Sequence, residues 1–337
     1  MSLRSASLAV IAATALGSAA AHAADPVALR FASPSPPQGQ VNKWGLETWI
    51  QDVTQASKGT LDIKFTPGMV LANFGNIYER TISGVVEIGF GLFGPLASEF
   101  RKTNVSSLPF EAENCAQSSV ALWRLLDKGL IADEYAKVKP LALLTFPGSG
   151  IHTKKKIAAI DDLKGIKIAV FARGPAQEAH ILGAAPVTMA PTEAYQAVQR
   201  GLADGMIIGM SGLVPFKYQE VVNHHLIAPL GQTNAWVFMN KEAYAALPAP
   251  ARDAIDRFSY ENFASRMGKV SDRMDSMFTD MVRKMPDHTV YSLDARQSEI
   301  LKGRMASIAE QWIGSVPNGR EILAAYRAEL TKLRPAR

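Results

Sequence analysis

Asp161-Asp162-Leu163-Lys164-Gly165-Ile166-Lys167-Ile168-Ala169-Val170-Phe171-Ala172-Arg173-Gly174-Pro175-Ala176-Gln177-Glu178-Ala179-His180-Ile181-Leu182-Gly183-Ala184-Ala185-Pro186-Val187 is the stretch from which the fold can be read. Ile166 to Val170 is a short β-rich run, and Phe171 to Gly174 reads as a loop. Pro175 suits the first residue of a helix, where a missing N–H costs nothing. A second short run, Pro186 to Met189, follows Gly183. The order is strand, loop, helix, strand, with Arg173 just ahead of a helix N-terminus. Free backbone N–H groups and the positive end of the helix dipole gather there, and a guanidinium beside them makes an anion site. An arginine on an exposed loop satisfies the same local pattern.

Upstream, Ala28 to Ala32 reads as a first strand, closed by the Pro-rich segment Ser33 to Gly39. Leu46, Trp49, Ile50 and Val53 follow amphipathic helical spacing up to Gly59. Leu61, Ile63 and Phe65 alternate as a second strand, turned by Pro67-Gly68. A helix from about Asn76 to Val85 leads to a third strand, Glu87 to Phe90. This β-α-β-α-β order implies a parallel sheet with ligand sites beyond its strand carboxyl ends. A run near Val105 to Leu108, a helical region from Ala116 to Val138 broken at Gly129, and a strand Leu141 to Phe146 complete a first lobe. Gly148-Ser149-Gly150 is the expected crossover.

Downstream, a helix from about Pro191 to Arg200, the strand Gly205 to Ile208, another helix, and the strands Val221 to Ile227 and Ala235 to Met239 repeat the style. Two such lobes in tandem imply a cleft between them. Phe263, Met267, Val270, Met274, Met277 and Met281 form an apolar stripe within one long helix expected from Ala249 to Met285. At 1.5 Å per residue it is long enough to lie across both lobes. A strand at Thr289 to Ser292 and two helices from about Ala295 end the chain.

The chain has 337 residues, too many for one typical core, and its 47% hydrophobic and 20% charged content is that of a globular protein. Arg4, the apolar run Ala6 to Leu16 and Ala21-His22-Ala23 make residues 1–23 a secretory signal peptide. No later segment has the ~18 uninterrupted apolar residues of a spanning helix, so the expected product is exported, soluble and periplasmic. Without Arg4 the count is 35 basic against 31 acidic residues, a net charge of +4. Lys154-Lys155-Lys156 lacks interleaved aromatics, so nucleic-acid binding is not expected. Cys115 is the single cysteine, which excludes an intramolecular disulfide and reads as a small buried hydrophobe.

Enzymatic signatures are missing. There is no phosphate-binding Gly-x-x-x-x-Gly-Lys-Ser/Thr. Gly209-Met210-Ser211-Gly212 is one residue short of a hydrolase elbow. His224 and His225 are adjacent, so on a strand they face opposite ways and do not share a metal. Asp161-Asp162 reads as a helix cap rather than an acid/base pair. Neither catalysis nor a cofactor is expected.

At this point the chain resembles the solute-binding proteins of tripartite ATP-independent periplasmic (TRAP) transporters over nearly its whole mature length. The resemblance rests on Pro67-Gly68 with Leu71, Gly84, Ile88-Gly89, Leu108-Pro109-Phe110, His152-Thr153-Lys154, Asp162 to Ile168, Leu182-Gly183-Ala184, Glu193 with Tyr195, Asp204-Gly205, and Met239-Asn240-Lys241 followed by Leu247-Pro248. It implies a two-lobed α/β periplasmic-binding-protein architecture with hinge strands and a long helix spanning both lobes. Lobe I is expected at 24–147 plus about 235–270, and lobe II at 148–234 plus about 271–333. It also implies a cleft that closes on a small carboxylate and docking on TRAP membrane permease subunits; a monomer is expected.

Two departures stand out. The family's Lys-Ile-Arg, whose Arg clamps the substrate carboxylate, is here Lys167-Ile168-Ala169. After Asp204-Gly205, where Asn or Pro-Trp-Glu is common, stand Ile208, Gly209, Met210 and Ser211. Both changes make the pocket less polar. A buried unpaired carboxylate is costly, and the planar fork of Arg is its best partner, so Arg173 is the candidate replacement. Ser149 with His152, Ser211, and Thr233 with Asn234 are candidate hydrogen-bonding residues beside Gly209. Phe74, Phe93, Phe171, Met210 and Trp236 are candidate apolar walls, and each also suits ordinary core. The expected ligand is a monocarboxylate with an apolar or aromatic body. The alternatives are a neutral or zwitterionic solute, or a periplasmic enzyme on the same scaffold.

Overall fold

The computed structural model describes residues 25–148 and 150–334, so the leader and Ser149 lie outside the described residues. Two sheets carry the architecture. The first contains β1 (Val27–Ser33), β2 (Leu61–Pro67), β3 (Ile88–Leu92), β4 (Lys139–Phe146) and β10 (Thr233–Met239), in the order β2-β1-β3-β10-β4. The second contains β5 (Gly150–Thr153), β6 (Lys167–Val170), β7 (Ala185–Thr188), β8 (Gly205–Ile207), β9 (His224–Ile227) and β11 (Thr289–Ser292), in the order β11-β9-β5-β8-β6-β7.

β1 pairs in parallel with β2 and β3, as an α-helical crossover between consecutive strands requires. β10 is antiparallel to both β3 and β4. The second sheet mirrors this with β5, antiparallel to β8 and β9. The chain passes between sheets at β4 to β5 and returns at β9 to β10. These two crossings lie against each other: a Cβ on Gly148 would stand 1.6 Å from the Gly231 carbonyl oxygen. Only glycine permits that approach.

The helices are α1 (Glu47–Ala56), α2 (Ile77–Ile82), α3 (Cys115–Asp127), α4 (Arg173–Ile181), α5 (Pro191–Gln199), α6 (Met210–Leu213), α7 (Lys241–Ala245), α8 (Ala249–Phe258), α9 (Tyr260–Arg283), α10 (Ala295–Ser315) and α11 (Gly319–Leu333). The helix expected from Ala249 to Met285 is thus two. The break falls at Ser259-Tyr260, where Tyr260 takes φ +67°, a conformation a bulky side chain rarely adopts. Its ring stacks on Trp123 at 5.4 Å. No proline or glycine marks the place, so only the tertiary contact reveals it.

α9 still spans both halves. It packs on α3 and β4 on one side and on α6 and β11 on the other. Trp49 of α1 stacks on its Phe263 at 5.2 Å, and Asp272 caps α3 by accepting from the N–H groups of Cys115 and Ala116 at 2.7 and 3.0 Å. The apolar stripe changes course along the helix. Phe263, Met267 and Met274 are buried, but the line continues through Phe278 and Val282, while Met277 and Met281 are each 37% exposed. A 4-3-4-3 repeat drifts about 20° per heptad around a straight helix, which carries the last two methionines out to solvent.

Two other expectations change. The run at Val105 to Leu108 is a 3₁₀ turn, Thr103–Ser107. Arg173 is the first residue of α4 rather than a loop residue before it, because Ala172 is the N-cap and Pro175 falls at the third helical position.

Candidate ligand-binding site

Where the carboxyl ends of β3, β4 and β6 converge, aromatic rings from the two sheets face one another. Phe90 and Phe146 meet edge-on at 6.4 Å on the first-sheet side. Across the gap, Phe171 stacks on Tyr218 at 6.2 Å and Phe216 on Tyr218 at 5.5 Å. Between them lies an apolar cavity of about 80 Å³, walled also by Phe74, Leu92, Pro147, Ile208 and Met274. Its polar lining is small: Ser35, Ser211 and Thr233, with no charged side chain among the described residues. Behind Ser211, the half-buried Asp275 accepts its N–H at 3.1 Å. Burial pushes that carboxyl up to about 6, two backbone N–H donors opposing it.

A second cavity, of about 460 Å³, adjoins the first, and Thr233 lines both. The backbone runs from one to the other: Phe171 walls the apolar cavity and Ala172 and Arg173 the second. This one is the more polar of the two, with Arg101, Asn104, Arg173, Glu178, Gln232 and Asn234 in its wall beside Phe93, Leu108, Trp312 and Val316. α10 closes one side, its Trp312 donating from Nε1 to the Arg101 carbonyl at 3.0 Å.

The structure distributes the expected residues unevenly. Phe74, Phe171, Ser211 and Thr233 converge on the apolar cavity, and Arg173, Phe93, Thr233 and Asn234 on the polar one. Arg173 is exposed and, among the described residues, pairs with no carboxylate. Asn234 is already engaged, donating to the Thr103 carbonyl at 3.2 Å and accepting from Ser106 at 3.0 Å.

Four residues line neither cavity. Trp236 is wholly buried in β10, stacked on Phe238 at 4.4 Å, with its N–H on the Leu92 carbonyl. Met210 is core. Gly209 is the N-cap of α6, pressed against the Pro147 carbonyl. His152 lies inside the second sheet, Nε2 on the Ile208 carbonyl and Nδ1 on His225. Ser149 lies outside the described residues.

Sequence reasoning did not single out Phe90, Phe146 and Phe216, or Arg101, Glu178 and Gln232. Phe90 and Phe146 carry the one available signal, large apolar residues at strand carboxyl ends. Glu178 carries none, since a glutamate in a helix normally reads as solvated surface.

The profile of the family described as bacterial extracellular solute-binding protein, family 7, matches residues 32–314. The chain is 27% identical over 304 residues to the outer membrane transporter protein TsaT of Comamonas testosteroni, covering 87% of this chain and 88% of that one. It is 26% identical over 254 residues to the C4-dicarboxylate-binding periplasmic protein DctP of Rhodobacter capsulatus, covering 71% and 72%. A TRAP solute-binding protein from Rhodoferax ferrireducens, solved with copurified benzoate, superposes with a TM-score of 0.87 at 27% identity, covering 91% of this chain and 98% of that one. A TRAP periplasmic solute-binding protein from Bordetella bronchiseptica, with bound (R)- and (S)-mandelate, gives 0.85 at 26% identity, covering 92% and 100%.

Proposed function

The chain belongs to family 7 of the bacterial extracellular solute-binding proteins, the receptors of TRAP transporters, and on that premise we propose that it captures a small monocarboxylate with an apolar, aromatic body and delivers it to the TRAP membrane permease. The observation that carries this reading is the cavity walled by Phe74, Phe90, Phe146, Phe171 and Phe216, without a charge in its lining among the described residues. Relatives solved with benzoate and mandelate support the ligand class. The lobes are taken as 24–147 with about 235–270, and 148–234 with about 271–333. Export rests on the leader at 1–23, and the working unit is taken as a monomer.

The body of the solute is assigned to the apolar cavity and its carboxylate to the polar side, past Thr233, where Arg173 supplies the guanidinium. Ala169 is fully buried within β6 and offers no clamp. The apolar space of about 80 Å³ is about half the ~150 Å³ of a dry cavity that takes benzene, so a ring enters only if its walls part. Those walls belong to different sheets. Ligand contacts both only when the cleft is shut, so binding shifts an open–closed equilibrium.

Calorimetric titration with benzoate, phenylacetate and succinate tests the reading. The aromatic acids are expected to bind and succinate not. Arg173→Ala is expected to weaken benzoate tenfold or more, as a charge-assisted hydrogen bond of about 1.5–3 kcal/mol implies. Unchanged affinity in that variant would remove Arg173 from its role and favour the second reading, a neutral or zwitterionic solute, for which the uncharged lining of the apolar cavity speaks. Turnover of the bound acid would move the protein to the enzymes.

A further inference from the structure

Past Thr233 the wall of the polar cavity includes two side chains with acceptor atoms that no group in the described protein uses. Glu178, on α4, is 1% exposed. Its Oε1 accepts the Gly231 N–H at 2.7 Å, and its Oε2 has no partner among the described residues. Gln232, next to Thr233 and 9% exposed, has an equally unpartnered Oε1. Both residues wall the cavity of about 460 Å³ that Arg173 and Arg101 also line. Buried acceptors are almost always satisfied, and leaving one unmet costs its desolvation. Two beside one cavity, close to where a solute head-group is assigned, are best explained by donors arriving with the solute.

We propose that the acid taken by this receptor carries a hydrogen-bond donor on the carbon beside its carboxylate, as a 2-hydroxy or 2-amino acid does. Its carboxylate lies on Arg173 and its donor on Glu178 Oε2 and Gln232 Oε1. This rests on the reading of the cleft as an organic-acid site and adds what that site discriminates. A phenyl ring alone is sorted weakly by an apolar cavity. A buried acceptor sorts strongly, because an analogue without the donor leaves the acceptor unpaired. A hydroxyl serves one acceptor at a time and an ammonium serves both, so the two donor types are separable by experiment.

The test uses three acids that differ in one substituent: phenylacetate, mandelate and phenylglycine, titrated calorimetrically into the full mature chain and into Glu178→Gln. The isosteric variant keeps an oxygen for the Gly231 N–H and presents a donor where Oε2 accepted. The wild type is expected to bind mandelate or phenylglycine at least tenfold more tightly than phenylacetate. In Glu178→Gln that preference is expected to vanish, with phenylacetate affinity within twofold of wild type. Equal binding of all three by the wild type overturns the proposal and leaves the organic-acid reading intact. Equal weakening of all three in the variant overturns it too, by making Glu178 a structural support. Absence of binding by any of them overturns both.

Discussion

The Nδ1 atoms of His152 on β5 and His225 on β9 face each other at 2.9 Å inside the second sheet. His225 Nε2 meets His288 Nδ1 at 2.9 Å, and His152 Nε2 meets the Ile208 carbonyl at the same distance. One set of neutral tautomers satisfies the row. The carbonyl only accepts, so His152 carries its proton on Nε2, and His225 and His288 each carry theirs on Nδ1. An extra proton on His152 or His225 sets N–H against N–H.

The row therefore predicts loss of stability in acid. Burial holds His152 down to about 4; burial and then the neighbouring imidazoles hold His225 down to about 2. His224 and Asp287 bear on His288 with opposite effect, and burial leaves it below its ordinary value. The unfolded chain binds protons that the folded chain refuses, so this contribution is complete above pH 6.5 and declines as pH falls toward 4. For His152 alone the loss is on the order of 3 kcal/mol. Nitrogen-15 NMR of the imidazoles from pH 8 to 5 should show His152 as the Nε2-H tautomer and His225 as the Nδ1-H tautomer throughout; titration of either near pH 6.5 contradicts the row.

Glu329 predicts a further loss of stability at lower pH. It is 2% exposed on α11 and receives Lys128, Lys332 at 2.7 Å and Arg124 at 3.2 Å, while Arg124 also holds Glu261 of α9 at 2.8 Å. The Lys128 hydrogen bond is the largest of the effects that hold the carboxyl down to about 2. Its contribution is present above the ordinary carboxylate value near 4.5 and is lost as pH falls toward 2. The cations are partly solvated, so Glu329→Gln should cost about 1–2 kcal/mol at pH 7. Chemical denaturation should show the deficit shrinking toward pH 2; an equal deficit at both pH values would assign the effect to packing.

Glu178 should be a destabilising residue in the ligand-free protein. Burial pushes it up to about 7, against the help of the Gly231 N–H. The folded state prefers the protonated acid, so its contribution is complete below pH 4.5 and is lost as pH rises through 7. Glu178→Gln should leave stability unchanged at pH 4 and raise it at pH 8 by up to about 3 kcal/mol. A melting temperature at pH 8 equal to or below wild type counts against a carboxyl kept for binding at the expense of stability.

Gly94 should govern closure. It follows β3 of the first sheet, and a Cβ there would stand 2.4 Å from the carbonyl oxygen of Phe171, which follows β6 of the second. Gly94→Ala should hold the cleft ajar, weakening the cognate acid tenfold or more while shifting the ligand-free melting temperature by less than about 2 °C, since neither lobe's own packing is touched. Small-angle scattering should show a smaller ligand-induced contraction than in wild type. Normal affinity with normal contraction would show that this contact does not limit closure.

Much of the architecture is local and therefore legible in order. Strand and helix runs, the glycines that end helices at Gly165, Gly183 and Gly201 with φ of +78°, +82° and +77°, and the tandem lobes follow from periodicity and turn chemistry, because each depends on neighbours a few residues away. The candidate site was legible only in part. Arg173, Phe171, Thr233 and Phe74 stand beside turns and strand ends, where ligands usually lie. His152 and Trp236 stand there too, yet the first is bonded to other sheet residues and the second is stacked in the core.

By itself the chain's order of residues set the two α/β halves and the long supporting helix, since these depend on spacing. Folding in three dimensions decided which rings face each other across the gap, that Tyr260 breaks the long helix, and that Glu178 turns inward to meet Gly231. Those outcomes depend on contacts between residues 50 or more positions apart, as Glu178 and Gly231 are, or on a stack such as Trp123 on Tyr260. A one-dimensional pattern cannot place such partners, because a glutamate on a helix looks the same whether water or a buried amide stands opposite it.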